Sequence, residues 1–325
     1  MAELNLFSMQ DVKAEKVKFL WEPYIAEGKI TIVQGDPSGG KTNLMLAVAA
    51  ALTKGEILPG NNHVSAPANI IFQTAEDGLN DTIKPRLEKL GADCSRVYVI
   101  DETKQELSLT DDRIEQAIVK MDAKLLILDP LQAYLSNGAN MNSTNGVRPL
   151  MKSLSNVAER TGCAIVIIGH LNKGSGKSQY RGLGSIDIYA AARSVLTVGK
   201  IEINNQQIRA VVHGKSNIAP PGSSLAFELD PINGFSWIGE CDITLDELLS
   251  GRVFEKDESR LSQAMAFIKA ELSAGEVAAA EMVQLATKNG IPKMTLDRAK
   301  QTLCVKSVKR DNKWYWTLTE KQDNQ

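Results

Sequence analysis

A glycine-rich segment near the N-terminus has the residue types and spacing of a phosphate-binding loop. Residues 35–42 read GDPSGGKT and fit the pattern G-x-x-x-x-G-K-[ST]. Glycines let backbone N–H groups close around phosphate oxygens, and a helix that follows directs the positive end of its dipole at them. Lys41 would neutralise the β- and γ-phosphates, and Thr42 would place its hydroxyl on Mg²⁺. The predicted nucleotide-binding residues are Gly35, Asp36, Pro37, Ser38, Gly39, Gly40, Lys41, Thr42 and Asn43.

Acidic residues after two later apolar runs could complete a site that hydrolyses ATP. Asp129 ends the run KLLILDP, where a carboxylate can hold Mg²⁺ through water. Glu76 and Asp77 follow the run NIIFQT. We predict Glu76 as the base that polarises the attacking water. Asp77 is the alternative base, or it caps a helix that begins at Leu79.

His170 ends another apolar run, IVIIGH. At the carboxyl edge of a sheet it would lie beside the γ-phosphate and report the state of the nucleotide. The alternative is an ordinary polar residue at the end of a strand.

The elements that would position these residues alternate along the chain. Apolar runs predict strands over 29–35, 69–74, 96–101, 124–130 and 163–170, and helical spacing predicts helices over 41–54, 79–90, 110–121 and 146–161. The runs are continuously apolar, as in parallel strands that are covered on both faces. The predicted fold class is therefore α/β with a mostly parallel sheet. After Ser185, the runs SVLTVGKI, QQIRAVVHG and SSLAFELD predict antiparallel strands added at the sheet edge.

The last third of the chain predicts a second, smaller domain. Residues 239–260 are charged and irregular, with one short capped helix near Thr244, and are interpreted as a linker. Three helical patterns and a hairpin follow, which is the order of a winged helix-turn-helix. The predicted domains are 1–238, containing the nucleotide site, and 261–325.

The C-terminal segment differs in charge from the rest. Residues 288–313 carry eight Lys and Arg and two Asp, so their net charge is +6 in a chain of net charge −2. Such asymmetry is typical of a nucleic-acid-binding segment. Arg298 on the predicted recognition helix, and Lys309 and Arg310 on the wing, are the predicted DNA contacts, with a protein contact as the alternative. Trp314 and Trp316 are expected to pack beneath the helices, with stacking on bases as the alternative.

Together these motifs resemble the RecA-type ATPase core, over roughly residues 15–230. The segments LWEPYIAEGKITIVQGDPSGGKT and YRGLGSIDIYAAARSVLTV resemble the RepA-like hexameric helicases and related ATPases of phages and mobile elements. The second segment is also similar to DnaB-type helicases, which carry Gln where this chain has His170.

The resemblance implies a ring, expected to be a homo-hexamer, with each nucleotide held between two subunits. Arg193 matches the position of an arginine that acts in trans on the neighbour's γ-phosphate. Lys215 is a second trans candidate, at a position where DnaB-like relatives carry a Lys-x-Arg pair, although Asn217 stands in place of that arginine. Surface cations are the alternative for both residues.

Two irregular stretches, 131–146 and 171–184, directly follow predicted catalytic strands. Long irregular stretches in a compact domain are often functional. In a ring they would face the central channel, where Lys173, Lys177 and Arg181 would bind phosphates of single-stranded DNA and Tyr180 would stack on a base. Solvated loops are the alternative.

Composition is that of a globular cytoplasmic protein, with 43% hydrophobic and 23% charged residues. The four cysteines are scattered without a C-x-x-C pair, which argues against a zinc site or a disulfide framework. Neither a signal peptide nor a membrane-spanning run is expected.

The sequence therefore predicts an ATP- and Mg²⁺-dependent, DNA-associated motor, a helicase or translocase that replicates a mobile element. The alternatives are an ATPase that loads or assists recombination without unwinding, and a winged-helix regulator controlled by nucleotide. A small-molecule kinase fits least, because no arginine-rich lid is evident.

Overall fold

The computed structural model describes residues 6–61, 66–135, 144–171, 186–203, 206–251, 257–273, 275–291, 293–303, 305–310 and 313–317. The chain forms two compact units, Met1–Arg252 and Val253–Gln325.

The first unit contains eleven strands and six helices in its described part. The strands are β1 (Phe19–Trp21), β2 (Ile25–Ala26), β3 (Ile30–Gly35), β4 (Asn69–Thr74), β5 (Val97–Tyr98), β6 (Ala123–Asp129), β7 (Ala164–His170), β8 (Ser194–Ile203), β9 (Gln206–Ser216), β10 (Ser224–Asp230) and β11 (Gly234–Cys241). The helices are α1 (Lys41–Lys54), α2 (Lys84–Lys89), α3 (Asp112–Met121), α4 (Thr144–Thr161), α5 (Ile186–Ala191) and α6 (Leu245–Ser250).

Nine of these strands form one sheet in the order β11-β10-β9-β8-β3-β7-β6-β4-β5. Strands β5, β4, β6, β7, β3 and β8 run parallel, and β9, β10 and β11 continue the sheet in antiparallel fashion. The predicted α/β fold with a mostly parallel sheet is confirmed. One expectation was wrong: β8 is parallel to β3, with Ser194 opposite Thr31. Helix α5 lies between β7 and β8 in the chain and provides the crossover that a parallel strand needs.

The continuous apolar runs are explained by a helical layer on each face of the sheet. Alternate residues of one strand enter different cores: Ile70 and Phe72 pack with α1 and α2, whereas Ile71 packs with α3 and α4. Each central strand therefore buries both of its faces.

Two elements differ from the sequence prediction. The strand expected over 96–101 shortens to Val97–Tyr98, because the Gln73 side chain takes over the pairing beyond it. Its Nε2 donates to the carbonyl of Ile100 (3.1 Å), and its Oε1 accepts from the Ile100 N–H (3.0 Å). The helix expected over 79–90 begins as a π-helical turn, Leu79–Ile83, before α2.

The segment predicted as a linker is structured over its first half. β11 continues to Cys241, and α6 carries a capping box between Thr244 and Glu247, as expected for a helix near Thr244. Leu248 of α6 contacts Gly199 of β8, where a Cβ would lie 3.1 Å from the Leu248 Cγ. Residues up to 251 thus pack with the first unit.

The second unit contains α7 (Asp257–Leu272), β12 (Val277–Ala278), α8 (Ala279–Lys288), α9 (Lys293–Thr302), β13 (Lys306–Arg310) and β14 (Lys313–Thr317). Its sheet has the order β12-β14-β13, and β12 was not anticipated. Ala264, Ile268, Met282, Leu296 and Trp316 form its core. The winged-helix assignment of this unit stays a prediction.

Of the two tryptophans expected beneath the helices, only Trp316 is buried. Trp314 is 53% exposed, so its predicted core position was wrong.

Candidate nucleotide-binding site

The glycine-rich loop connects the end of β3 to the start of α1, as predicted. Gly40 is the N-cap of α1 with a φ of 100°, a conformation that favours glycine. Gly35 lies against β8, since a Cβ at this position would be 2.0 Å from the carbonyl oxygen of Val198. Gly40 is needed for its backbone conformation, and Gly35 is needed because a side chain would collide with β8.

Lys41 is buried, with 5% of its surface exposed. Its Nζ donates to the carbonyl oxygens of Gly35 and Asp36, both at 2.9 Å, and lies 3.3 Å from Nδ1 of His170. Burial lowers the pKa of Lys41, and the nearby carboxylates of Asp129, Asp36 and Glu76 oppose this effect. A cation is therefore held inside the loop, at the position where phosphates would bind.

Thr42 and Asp129 meet at the same edge. The Thr42 hydroxyl donates to Oδ2 of Asp129 at 2.6 Å. Burial raises the pKa of Asp129 to about 6; the Thr42 hydrogen bond and Lys41 lower it, and the charges of Glu76 and Asp77 raise it further. Hydroxyl and carboxylate oxygens are the donors that Mg²⁺ prefers, so this pair fits the predicted metal.

A metal at this edge would also need phosphates and water as ligands. Over the described residues, no group of three or more His, Cys, Asp or Glu side chains is arranged to hold an ion by itself. Magnesium that binds mainly through one or two protein groups and substrate phosphates fits this arrangement.

Glu76 and Asp77 follow β4, which pairs with β6 so that Thr74 lies opposite Asp129. Glu76 is exposed, and its charge affects the pKa values of Lys41, Asp129 and His170. Asp77 instead accepts from Arg86 at 3.2 Å. The next helical turn is capped by Gly78 without a side-chain hydrogen bond, so the capping role considered for Asp77 is not observed.

His170 ends β7 directly opposite Gly35 of β3. Burial lowers its pKa, the charge of Lys41 lowers it further, and Glu76 has the opposite effect. Burial and the charge of Lys41 both favour a neutral imidazole, whose Nδ1 accepts a hydrogen bond from the Lys41 ammonium. The structure therefore brings Lys41, Thr42, Glu76, Asp129 and His170 to one edge of the sheet.

Arg193 lies elsewhere. It is exposed, and its backbone N–H donates to Ile30 at the start of β3, whereas the loop follows the end of β3. Gly35 lies five residues beyond Ile30 along the strand, which corresponds to about 17 Å. Arg193 is thus distant from the loop of its own chain.

Lys215 is engaged within its own subunit. Its Nζ donates to the carbonyl oxygens of Tyr189 (2.7 Å) and Ala192 (2.9 Å) at the end of α5, and it lies 4.8 Å from the centroid of the Tyr189 ring. These contacts account for Lys215 without a neighbour, so they argue against the second trans candidate.

The predicted nucleic-acid contacts are only partly described. Lys173, Lys177, Tyr180 and Arg181 lie outside the described residues, and for Arg298 the structure describes the helix α9 but not the side chain. Lys309 is exposed on β13, and Arg310 forms an ion pair with Glu276 at 2.8 Å.

Three further polar groups were not predicted, namely Gln34 and Arg209 near the loop and Gln73 at the end of β4. Gln34 is buried on β3, and its Nε2 donates to Thr197 of β8 at 3.3 Å. Gln73 is buried at the end of β4. A polar residue inside an apolar strand was the available signal for both glutamines. Arg209 of β9 packs beside Gly40, and no local pattern marks it because only the fold brings it there.

In the part of the chain that the structure describes, no helix is both long enough and apolar enough to span a lipid bilayer.

Comparison with known families gives a match over more than half of the chain. The profile of the AAA_25 family, described as an AAA domain, matches residues 3–176. A crystal structure of a KaiC-like protein from Pyrococcus horikoshii covers 69% of this chain and 99% of its own, with 18% identity and a TM-score of 0.48.

Several curated relatives are named DNA repair protein RadA. The protein from Halalkalibacterium halodurans is 30% identical over 151 residues, 46% of this chain and 29% of its own length. The Bacillus subtilis protein is 26% identical over the same lengths. The Streptococcus pneumoniae protein is 24% identical over 177 residues, 53% of this chain and 38% of its own. The chain therefore spans between 29% and 38% of the length of these relatives.

Proposed function

The chain belongs to the AAA_25 family of AAA domains, and on this premise we propose that it is an ATP-hydrolysing, DNA-associated motor. In this proposal, subunits assemble into a ring, expected to be hexameric, and hydrolysis drives helicase or translocase activity of the RepA-like type. Single-stranded DNA is the proposed substrate of movement.

The observation that carries the proposal is the hydrogen bond between Thr42 and Asp129, 2.6 Å long across 87 positions of sequence. It joins the phosphate-binding loop to the strand end that would hold magnesium. Lys41 and His170 lie within hydrogen-bonding distance of each other beside this pair. A chance glycine-rich turn would not bring these groups together.

The residues have separable roles in hydrolysis. Lys41 would leave the carbonyls of Gly35 and Asp36 and bind the β- and γ-phosphates. Thr42 and Asp129 would hold Mg²⁺, which would neutralise charge on the phosphates. Glu76, exposed at the same edge, would accept a proton from the attacking water.

His170 supplies a route from nucleotide state to DNA. In the present arrangement it contacts Lys41 at 3.3 Å, so a movement of Lys41 onto phosphates would break this contact. The predicted DNA-binding stretch 171–184 begins at the next residue. We infer that His170 couples the two.

Association with DNA is supported by the relatives, which are named DNA repair proteins. The positive C-terminal segment favours the same partner. The position of Arg193 fits the proposed role in trans, because it is exposed and far from the loop of its own chain. A cation in this place can act on a nucleotide only in another subunit.

The second candidate keeps hydrolysis and omits unwinding. The name of the relatives favours an ATPase that loads or assists recombination or repair proteins on DNA.

The deciding experiment measures ATPase rate with and without single-stranded DNA, together with displacement of one strand from a tailed duplex. A motor predicts stimulation and displacement, and a loader predicts stimulation alone. Lys41→Ala should abolish both activities. Hydrolysis that is unchanged in Lys41→Ala would refute the site itself.

Mixing two inactive variants tests the role of Arg193 in trans. Lys41→Ala retains Arg193, and Arg193→Ala retains the loop, so mixed rings would contain some complete interfaces. We expect the mixture to recover activity that neither variant has alone. Absence of recovery, with assembly shown by light scattering, would contradict a shared site.

A further inference from the structure

A half-buried arginine lies beside the loop, on a strand that belongs to no nucleotide-binding motif. Arg209 of β9 pairs with Lys200 on β8 and with Phe227 on β10. A Cβ placed on Gly40 would lie 3.1 Å from Cδ of Arg209 and 3.1 Å from Cδ1 of Leu229. The stem of Arg209 therefore packs directly against the residue that caps the N-terminus of α1.

The guanidinium of Arg209 lacks a partner in the described part of the chain. Its Nε is buried and has no hydrogen-bond acceptor. Burial lowers the pKa of Arg209, and no carboxylate charge opposes that effect. A partly buried cation without counter-charge or acceptor is costly for a folded protein.

Several other arginines of the first unit form ion pairs with carboxylates. Arg113 contacts Asp111 at 2.8 Å, and Arg160 contacts Glu115 at 2.6 Å. Arg209 has no such carboxylate, and it lies beside the loop where a phosphate chain would add negative charge. A bound nucleotide would supply both the negative charge and the hydrogen-bond acceptor that Arg209 lacks.

We infer that Arg209 binds a phosphate oxygen of the nucleotide held by the loop of the same chain. This inference rests on the proposed nucleotide site and adds a contact to it. A guanidinium offers planar N–H donors that suit phosphate, and a hydrogen bond between two charged groups is stronger than one between neutral groups. Arg209 would act in cis, in contrast to Arg193, and would be a binding residue rather than a base.

One substitution of Arg209 should have opposite effects on the stability of the nucleotide-free protein and on its affinity for nucleotide. In Arg209→Met an apolar side chain of similar length replaces an uncompensated charge, so the nucleotide-free protein should keep or raise its melting temperature. The same variant loses a phosphate contact, so its affinity for nucleotide should fall. A structural role for Arg209 would instead lower the melting temperature of the nucleotide-free protein.

The experiment measures equilibrium binding of a fluorescent ATP analogue and thermal unfolding for the full chain and three variants. Arg209→Met should bind about tenfold more weakly or worse, and Arg209→Lys should lose less because it keeps a point charge. Arg160→Met, the matched control, removes an arginine that pairs with Glu115 on the surface of the protein and should bind normally.

Two results would overturn the inference. One is binding by Arg209→Met within twofold of the unsubstituted protein. The other is a lower melting temperature of nucleotide-free Arg209→Met than of the unsubstituted protein. If the unsubstituted protein binds no nucleotide with magnesium, the proposed site itself is refuted, and this result is distinct from normal binding by Arg209→Met.

Discussion

Gly35 and Val198 approach each other so closely that no side chain fits between them: a Cβ at Gly35 would lie 2.0 Å from the Val198 carbonyl oxygen. The contact exists because β8 is a parallel neighbour of β3, with Gln34 opposite Thr197. The first glycine of the loop is thus required by the sheet as well as by phosphate.

Gly35→Ala should therefore destabilise the fold even without nucleotide. The added Cβ would meet the backbone carbonyl of Val198, which cannot move aside as a side chain could. We therefore expect the free energy of unfolding to fall by about 1–3 kcal/mol. Urea unfolding of the nucleotide-free protein measures it. Gly214→Ala is the matched control, since its Cβ would have its nearest neighbour at 3.5 Å. Equal stability of the two variants would contradict the close approach.

The raised pKa of Asp129 should make the protein less stable as pH rises. Burial raises its pKa from the ordinary 3.8 to about 6. Between these values the folded state binds the extra proton, so stability falls as pH rises through this window. The effect amounts to at most about 3 kcal/mol. Asp129→Asn should remove this decrease, as measured by urea unfolding at pH 4.5 and 7.

The control for Asp129 lies just before the other end of the same strand. Asp122 is exposed and pairs with Lys124 at 2.7 Å, and Asn suits its positive φ of 46°. Asp122→Asn should keep the pH dependence of the unsubstituted protein. If the difference in free energy of unfolding between the unsubstituted protein and Asp129→Asn stays constant from pH 4.5 to 7, the pKa of Asp129 is not raised by folding.

For His213 we expect the opposite dependence, with stability that rises with pH in an overlapping pH range. The N–H of Gly222 donates to its Nδ1 at 3.0 Å, and Ser194 Oγ lies 3.0 Å from Nε2 while donating to the Tyr24 carbonyl. Nδ1 therefore carries no proton, and Nε2–H donates to Ser194.

Burial lowers the pKa of His213 from 6.5 to about 4. The unfolded state binds the proton first, so stability that is complete above about pH 6.5 is lost as pH falls toward 4, by up to about 3 kcal/mol. His213→Gln should lack this loss, even if its overall stability is lower. Titration of the imidazole by NMR provides a direct check, and a pKa near 6.5 would contradict it.

The core and the site edge could be predicted because local patterns determine them. Runs such as NIIFQT are too apolar for a strand with one exposed face, and carboxyl ends of parallel strands meet at one edge. Thr42, His170 and Asp129 therefore converge, because β3, β7 and β6 are neighbours in the sheet.

Other features depend on partners that are distant in sequence. The sequence alone indicates no partner for Lys215, because its partners are carbonyl oxygens at the end of α5. The position of Arg209 could not be predicted either, because it depends on β9 lying beside the loop. The direction of β8 was mistaken because a helix of six residues, Ile186–Ala191, gives a weak periodic signal. Nothing near residue 100 indicates that the Gln73 amide would replace strand pairing.

Lys215 is predicted to position Arg193 rather than to contact a neighbour. Its Nζ binds carbonyl oxygens at the end of α5, immediately before Arg193 in the chain. Lys215→Met should lower the free energy of unfolding by about 1–3 kcal/mol, since hydrogen bonds to a charged group are lost. Lys124→Met, which removes only an exposed ion pair, should cost less than about 1 kcal/mol.

The activity of Lys215→Met separates the two roles. If Lys215 holds the end of α5, its loss should increase amide hydrogen exchange in Ile186–Ala191 and lower the ATPase rate while nucleotide affinity stays the same. A lysine that acts directly in trans would leave exchange in α5 unchanged. Protection of α5 equal to that in Lys124→Met, together with a reduced ATPase rate, would therefore return Lys215 to the shared site.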